Sequence, residues 1–232
     1  MCYEEITCPK CSARNIVKNG RTAQAKQRYL CKTCGRQFIT NYTSQGCRVF
    51  LRNFIVPMTL NGAGIRDITR VLHLSCGTVL SVLRQSAAAA EEPLVPKRIS
   101  NLELDEFWSF VGKKAHQRWT WYGFDRERKQ VTAFVNGPRT DANCRALYQK
   151  LKAAQVRKFH SDRWEAYAKT LPAQKHQIGK DGTRHIERRN LTFRTRIKRL
   201  QRRTICFSKS EVMHDAVIKL HIHHLNFQHH HF

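Results

Sequence analysis

The sequence predicts an α+β multidomain chain, and three observations carry that reading. Two CxxC pairs lie within the first 34 residues, apolar residues take a helical period from about residue 47 to 85, and aromatic and β-branched runs alternate with helical segments beyond residue 101. A length of 232 residues allows one large domain or two small ones. Apolar residues at 41% and aromatics at 9% suffice for a buried core, which argues against wholesale disorder.

The first module spans residues 1–46. Cys8-Pro9-Lys10-Cys11 and Cys31-Lys32-Thr33-Cys34 are separated by 19 residues, the spacing of a structural tetrahedral Zn²⁺ site. Each CxxC turn presents two thiolates on one side of a knuckle, and two knuckles close a four-sulfur shell with no open position for water. Such a site folds its segment rather than doing chemistry. So short a segment also needs a staple to hold it. The remaining cysteines (2, 47, 76, 144 and 206) lack ligand spacing and read as small buried hydrophobes.

Residues 47–85 form the second module. Gly64 to Leu72, a turn at His73-Leu74-Ser75, and Cys76 to Gln85 fit two short helices of a helix-turn-helix, with Ser75 capping the second. The second helix of such a motif enters the major groove, which directs Thr78, Ser81 and Arg84 toward DNA. A plain helical hairpin without DNA contacts is the alternative. An alanine run and two prolines make 86–100 a helix tail plus linker.

The third module is 101–232. Leu102–Gly112, Arg118–Arg126 and Lys129–Gly137 read as three consecutive strands, Thr140–Ala153 as a helix, VRKFHSD as a fourth strand and RWEAYAKTL as a helix before Pro172. His185 to about Arg202 shows one helical stripe.

Charge narrows the partners. The chain holds 42 Lys and Arg against 17 Asp and Glu, formally +25. Residues 1–92 carry 13 basic and 5 acidic side chains, and both halves of the chain are basic. That imbalance attracts polyanions, nucleic acid first. No stretch approaches the roughly 20 apolar residues of a spanning helix, and the acidic, polar N-terminus does not read as a signal peptide. The expected location is the cytoplasm, on the nucleoid.

Against that basic background three acids stand out. Asp105 interrupts an apolar strand, Asp162 ends the fourth strand, and Glu187 is the one acid among nine Arg or Lys in 184–203. Each has an ordinary reading: Asp105 on a solvent-facing side, Asp162 in a capping box with Glu165, Glu187 paired with nearby arginines. Together, oxygen donors from two strands and a later helix can hold two Mg²⁺ or Mn²⁺ ions for phosphodiester cleavage. They are then expected to converge within metal-bridging distance. Arg194 and Lys198 follow Glu187 on nearly the same helical face, where they can hold the DNA backbone. Asp125, Asp141 and Asp181 compete for membership, Asp125 most strongly. Histidines 221, 223, 224 and 229–231 read as a solvated polar tail rather than a metal site.

At these residues the chain resembles the DDE transposases of bacterial insertion sequences, of the insertion-sequence-one type. QRYLCKTCGRQF, NGAGIRDITRVL, LELDEFWSFVGKKAHQRWTWYGFDR, HSDRWEAY, RHIERRNLTFRTRIKRL and FSKSEVMHD carry the resemblance over nearly the whole chain. It implies an RNase H-like catalytic domain, Mg²⁺ as cofactor, cleavage at the element ends and transfer of 3′-OH ends into target DNA. The family's Asp-Asp-Glu triad falls on Asp105, Asp162 and Glu187, and its basic residue seven after the Glu on Arg194. Arg189 departs from IERHN-like versions, which carry histidine there. The expected partners are double-stranded DNA, at element ends and target, and a second copy of the chain in a homodimer or higher synaptic assembly. A non-catalytic zinc-dependent DNA-binding regulator and an RNase H-like nuclease without strand transfer are the alternatives.

Overall fold

In a computed structural model, residues 5–179, 182–201 and 204–228 are described, and they divide into two compact units, 1–49 and 50–232. In the first, β1 (Ile16–Arg21), β2 (Gln27–Cys31) and β3 (Gln37–Phe38) form an antiparallel sheet. Ile16 pairs with Cys31, so the second knuckle grows directly out of β2. The strands escape a periodicity reading because they are short and mostly half-exposed.

The second unit is built on a five-stranded sheet in the order β6-β5-β4-β7-β8. Its strands are β4 (Arg98–Phe110), β5 (Gln117–Asp125), β6 (Gln130–Gly137), β7 (Gln155–Ser161) and β8 (His176–Ile178). The first three are antiparallel neighbours, whereas β7 and β8 join in parallel. This is the mixed sheet of an RNase H-like domain. The short β8 has no counterpart among the expected strands.

Strand alternation assigns the two faces. On one, Leu102, Leu104 and Trp121 pack against α5 (Asp141–Leu151) and α6 (Glu165–Thr170). On the other, Phe107, Tyr122, Phe124 and Phe134 share a core with α7 (Arg184–Arg196) and α8 (Glu211–Gln228). That same core takes in α2 (Ile55–Leu60), α3 (Ile65–Leu72) and α4 (Cys76–Ala89), through Ile55, Ile68 and Leu83. A short α1 (Val49–Asn53) precedes them.

The helix-turn-helix segment is thus not a free-standing module ending at 85. Helix α4 runs through the alanine run to Ala89, with Ala87 and Ala90 buried, and β4 has already begun at Arg98. Only 91–97 remain as a connection. Small alanines let α4 lie close against α8. The expected cap is present, since Ser75 Oγ accepts from Thr78 N at 3.1 Å, and His73 turns the chain at φ 51°.

Helix α8 corrects the solvated-tail expectation. His214 and His221 are buried within it, and burial, the largest cause, pushes their pKa values down to about 3 and about 4. They are neutral core residues. Histidines 229–231 lie outside the described residues. Arg118 of β5 holds the start of α8 through Asp215 and Glu211. At its other end Asn226 Oδ1 accepts from Val131 N at 2.9 Å and its Nδ2 donates to Val131 O at 2.8 Å. That clamp satisfies backbone groups of β6, an edge strand.

Because α4 completes this core, Leu83→Ala should lower the stability of the 50–232 unit by about 2–5 kcal/mol. Denaturant unfolding followed by tryptophan fluorescence, which reports the sheet, checks it. A sheet transition unmoved by the substitution would mean that the helices fold separately.

Candidate active site and metal centre

The two knuckles are built alike. Cys8 N donates to Ala13 O and Ser12 N to Cys8 O, while Cys31 N donates to Arg36 O and Gly35 N to Cys31 O. The residue after each second cysteine turns left-handed, Ser12 at φ 56° and Gly35 at φ 70°. The repeated turn gathers Cys8, Cys11, Cys31 and Cys34 so that their sulfurs all lie within 4.8 Å of one another. Of the remaining described cysteines, Cys144 is buried as expected, Cys206 half-buried, and Cys47 and Cys76 exposed.

The acidic site is set by register. Parallel pairing of β4 with β7 places Glu103 opposite His160, so Asp105 and Asp162, each two residues on, come side by side at the end of β7. Asp105 is half-buried. Its Oδ1 accepts from Glu106 N at 2.8 Å and its Oδ2 from Asn190 Nδ2 at 2.6 Å. Burial above all pushes its pKa up to about 7, the Glu106 and Asp162 carboxylates add to the rise, and the two hydrogen bonds oppose it. Among the described residues no cation forms an ion pair with Asp105 or Asp162.

Asp162 is exposed and its Oδ1 accepts from Trp164 N at 3.0 Å. The capping box with Glu165 does not form, because α6 starts later and Glu165 pairs with Lys169 instead. Glu187 lies exposed in the first turn of α7 and accepts from Thr183 Oγ1 at 3.2 Å. Among the described residues the cysteine quartet is the group of candidate metal ligands gathered within 4.8 Å.

Helix α7 is fastened along β4. Buried Glu103 accepts from Ile186 N at 2.7 Å, and its other oxygen lies 2.8 Å from both His185 Nδ1 and Arg126 Nε. Two strand residues on, Asp105 meets Asn190, and after two more Phe107 stacks on Phe193 with ring centroids 5.1 Å apart. Glu106, on the opposite face, accepts from Arg139 and from Tyr167 Oη, and Arg139 is held between the rings of Trp119 and Trp164. Sequence reasoning took Glu103 only as a sign of a solvent-facing side, where it is in fact fully buried, and passed over Glu106. Their one signal was that two more acids share the apolar strand with Asp105.

Of the competing acids, Asp125 is the one whose oxygens are seen to be taken up. Asp125 is fully buried and accepts from Glu127 N, Arg128 N and Arg128 Nη1, which closes the β5–β6 turn. Asp141 opens α5 and Asp181 lies outside the described residues. Arg189, in place of histidine, lies over the Phe124 ring. Arg194 lines a cavity of about 360 Å³ with Thr195, Leu200 and Gln201. Lys198 does not continue its face, because α7 ends at Arg196 and Lys198–Leu200 form a separate 3₁₀ turn. On α4, Arg84 is exposed, whereas Thr78 and Ser81 are half-buried and bonded to Ser75 and Gln85.

A four-cysteine ribbon joined to an RNase H-like sheet, with acids at its central strands and on the following helix, defines a DDE-type transposase. The chain belongs to the IS1 transposase family, whose model matches residues 99–230, and the InsA N-terminal zinc-ribbon model matches 1–35. The insertion element iso-IS1n protein InsB of Shigella dysenteriae is 51% identical over 50% of this chain and 88% of its own length. The IS1 protein InsB of Shigella flexneri is 42% identical over 55% of this chain and 95% of its own. A simian T-cell lymphotropic virus intasome, solved with a PP2A regulatory subunit, aligns over 70% of this chain and 66% of its own, at 12% identity and a TM-score of 0.38. That likeness is too weak to bear on function. Among the described residues no helix is long and apolar enough to cross a membrane.

The raised Asp105 pKa has a signed consequence. Between its ordinary 3.8 and about 7 the folded chain binds more protons at this carboxylate than the unfolded chain does. Its contribution to stability is therefore fullest at low pH and is lost as pH rises to about 7. In metal-free buffer, Asp105→Asn should make the stability change from pH 5 to pH 8 more positive than in the parent chain, by denaturant titration, because His214 and His221, whose lowered pKa values act in the opposite direction, are left in place. An unchanged difference would show that burial does not raise this group. Separately, Cys31→Ser should collapse the amide dispersion of the first unit in NMR spectra while the 50–232 resonances persist.

Proposed function

We propose that the chain binds the ends of an insertion sequence, cleaves phosphodiester bonds there with Mg²⁺, and transfers the 3′-OH ends into target DNA. The observation that carries this reading is the pairing of Asp105 with Asp162, two carboxylates held side by side without a countercharge in a chain of formal charge +25. Hard oxygen donors left uncompensated suit Mg²⁺ or Mn²⁺. In this reading Asp105, Asp162 and Glu187 hold two such ions, which when bound activate the attacking oxygen and stabilise the leaving one. Arg194 and Lys198 neutralise phosphates beside the site. Thr78, Ser81 and Arg84 of α4 face the major groove, with Arg84 the most accessible of the three.

Zn²⁺ is the ion proposed for the cysteine quartet, since four thiolates closing a shell suit it and leave no reactive position. The ribbon then serves end recognition rather than chemistry. DNA ends must be brought together for transfer, so a homodimer or larger synaptic assembly on double-stranded DNA, acting on the nucleoid in the cytoplasm, completes the reading.

Cleavage of end-sequence DNA in Mg²⁺ tests it. Asp105→Ala, Asp162→Ala and Glu187→Ala should each lower the rate by at least about 10²-fold, roughly 3 kcal/mol of transition-state stabilisation. Four indistinguishable rates would remove the triad and leave a DNA-binding regulator. Cutting without any 3′ end joined to a second duplex would leave a nuclease.

A further inference from the structure

Tyr122 and Asn190 are a buried polar pair that the proposed chemistry does not use directly. Tyr122 is fully buried on β5, opposite Asp105 in the β4–β5 register, and Asn190 is 8% exposed on α7. The Tyr122 hydroxyl donates to Asn190 Oδ1 at 2.8 Å, with Ile186 O a second acceptor at 3.1 Å. Asn190 Nδ2 donates to Asp105 Oδ2 at 2.6 Å. Polar groups this deep are costly unless bonded, so the chain from Tyr122 to Asp105 has few other arrangements.

The amide has a direction. With Asp105 ionised, as a cation ligand is, a reversed amide would set Asn190 Oδ1 against its oxygen at 2.6 Å, acceptor against acceptor. The ionised Asp105 carboxylate therefore sets its direction, and the Tyr122 hydroxyl donates to the amide oxygen that this turns toward it. Asn190 also lies three residues beyond Glu187, one helical turn along α7, so the side chain that holds Asp105 belongs to the helix that carries Glu187.

Spacing strengthens the link. From Glu103 to Asp105 the strand advances two residues, about 6.7 Å. From Ile186 to Asn190 the helix advances four residues, about 6 Å. The Glu103–Ile186 and Asp105–Asn190 bonds therefore run in step. Without the second, Asp105 would keep only the amide of its own neighbour, Glu106, as a hydrogen-bond partner.

We propose that Asn190, oriented by Tyr122, is a positioning residue that fixes the Asp105 carboxylate and gears it to the helix carrying Glu187. The inference rests on the reading of Asp105 as a cation ligand. Its test is Mn²⁺ binding to the zinc-loaded full chain without DNA, followed by electron paramagnetic resonance. Asn190→Ala should weaken Mn²⁺ about tenfold to a hundredfold, the range seen when a ligand loses its hydrogen-bonded support. Tyr122→Phe should weaken it less, and both should keep a cooperative thermal transition. Should Asn190→Ala lose that transition, Tyr122→Phe decides alone, because it keeps the ring in the core and removes one hydroxyl. Affinity lost in Asp105→Asn but kept in the two variants overturns this inference and leaves the triad standing. Affinity unchanged in Asp105→Asn overturns the triad reading and this inference with it.

Discussion

Helix α7 and strand β4 run side by side with their repeats in step, and the catalytic half depends on that match. Glu103, Asp105, Phe107 and Ser109 all face the helix side of the sheet, and in turn they meet Ile186, Asn190, Phe193 and, beyond the helix end, Arg199 O. The first contact is a buried carboxylate at a helix N-terminus, where backbone N–H groups and the helix dipole favour negative charge. It also satisfies Arg126, whose other end holds Gly182 O. A one-residue slip of β4 would turn all four side chains to the α5–α6 face and detach the helix. The position of Glu187 is therefore decided by residues on a strand about 80 positions earlier.

The sheet concentrates acids where its two faces diverge. Asp105 looks toward α7 and Glu106 toward α6, yet both feel Asp162. The molecule treats the two neighbours differently. Glu106 is neutralised by Arg139 and bonded to Tyr167, whereas Asp105 receives only neutral donors. Adjacent residues of one strand thus divide into a structural carboxylate and a chemically available one, and the division comes from what each face packs against.

The core on the α7 side is shared with the helix-turn-helix segment. Ile55, Ile68 and Leu83 join Phe107, Phe193 and Ile218 in one cluster, with α8 lying between α4 and β6. In the proposed reading, the helix that reads DNA is carried on the same core as the acidic site.

The zinc-type quartet was legible from spacing alone, because both knuckles are local turns that need nothing beyond their own few residues. The Ser75 cap and the three consecutive strands were legible for the same reason, whereas the candidate acids stood out only by position, charge contrast and resemblance together. Three features were not. Helix α8 carries too many histidines to read as apolar, and only burial between α4 and the sheet makes them neutral core residues. Lys198 seemed to share a stripe with Glu187 until the helix ended at Arg196. Asp125 looked like a rival ligand until the turn that follows it used up its oxygens. Composition and spacing determined the cysteine ribbon, the charge and the candidate acids. Which acid is left available, and which helix holds it, depended on strand register and on the choice of face, which arise only when distant segments pack together.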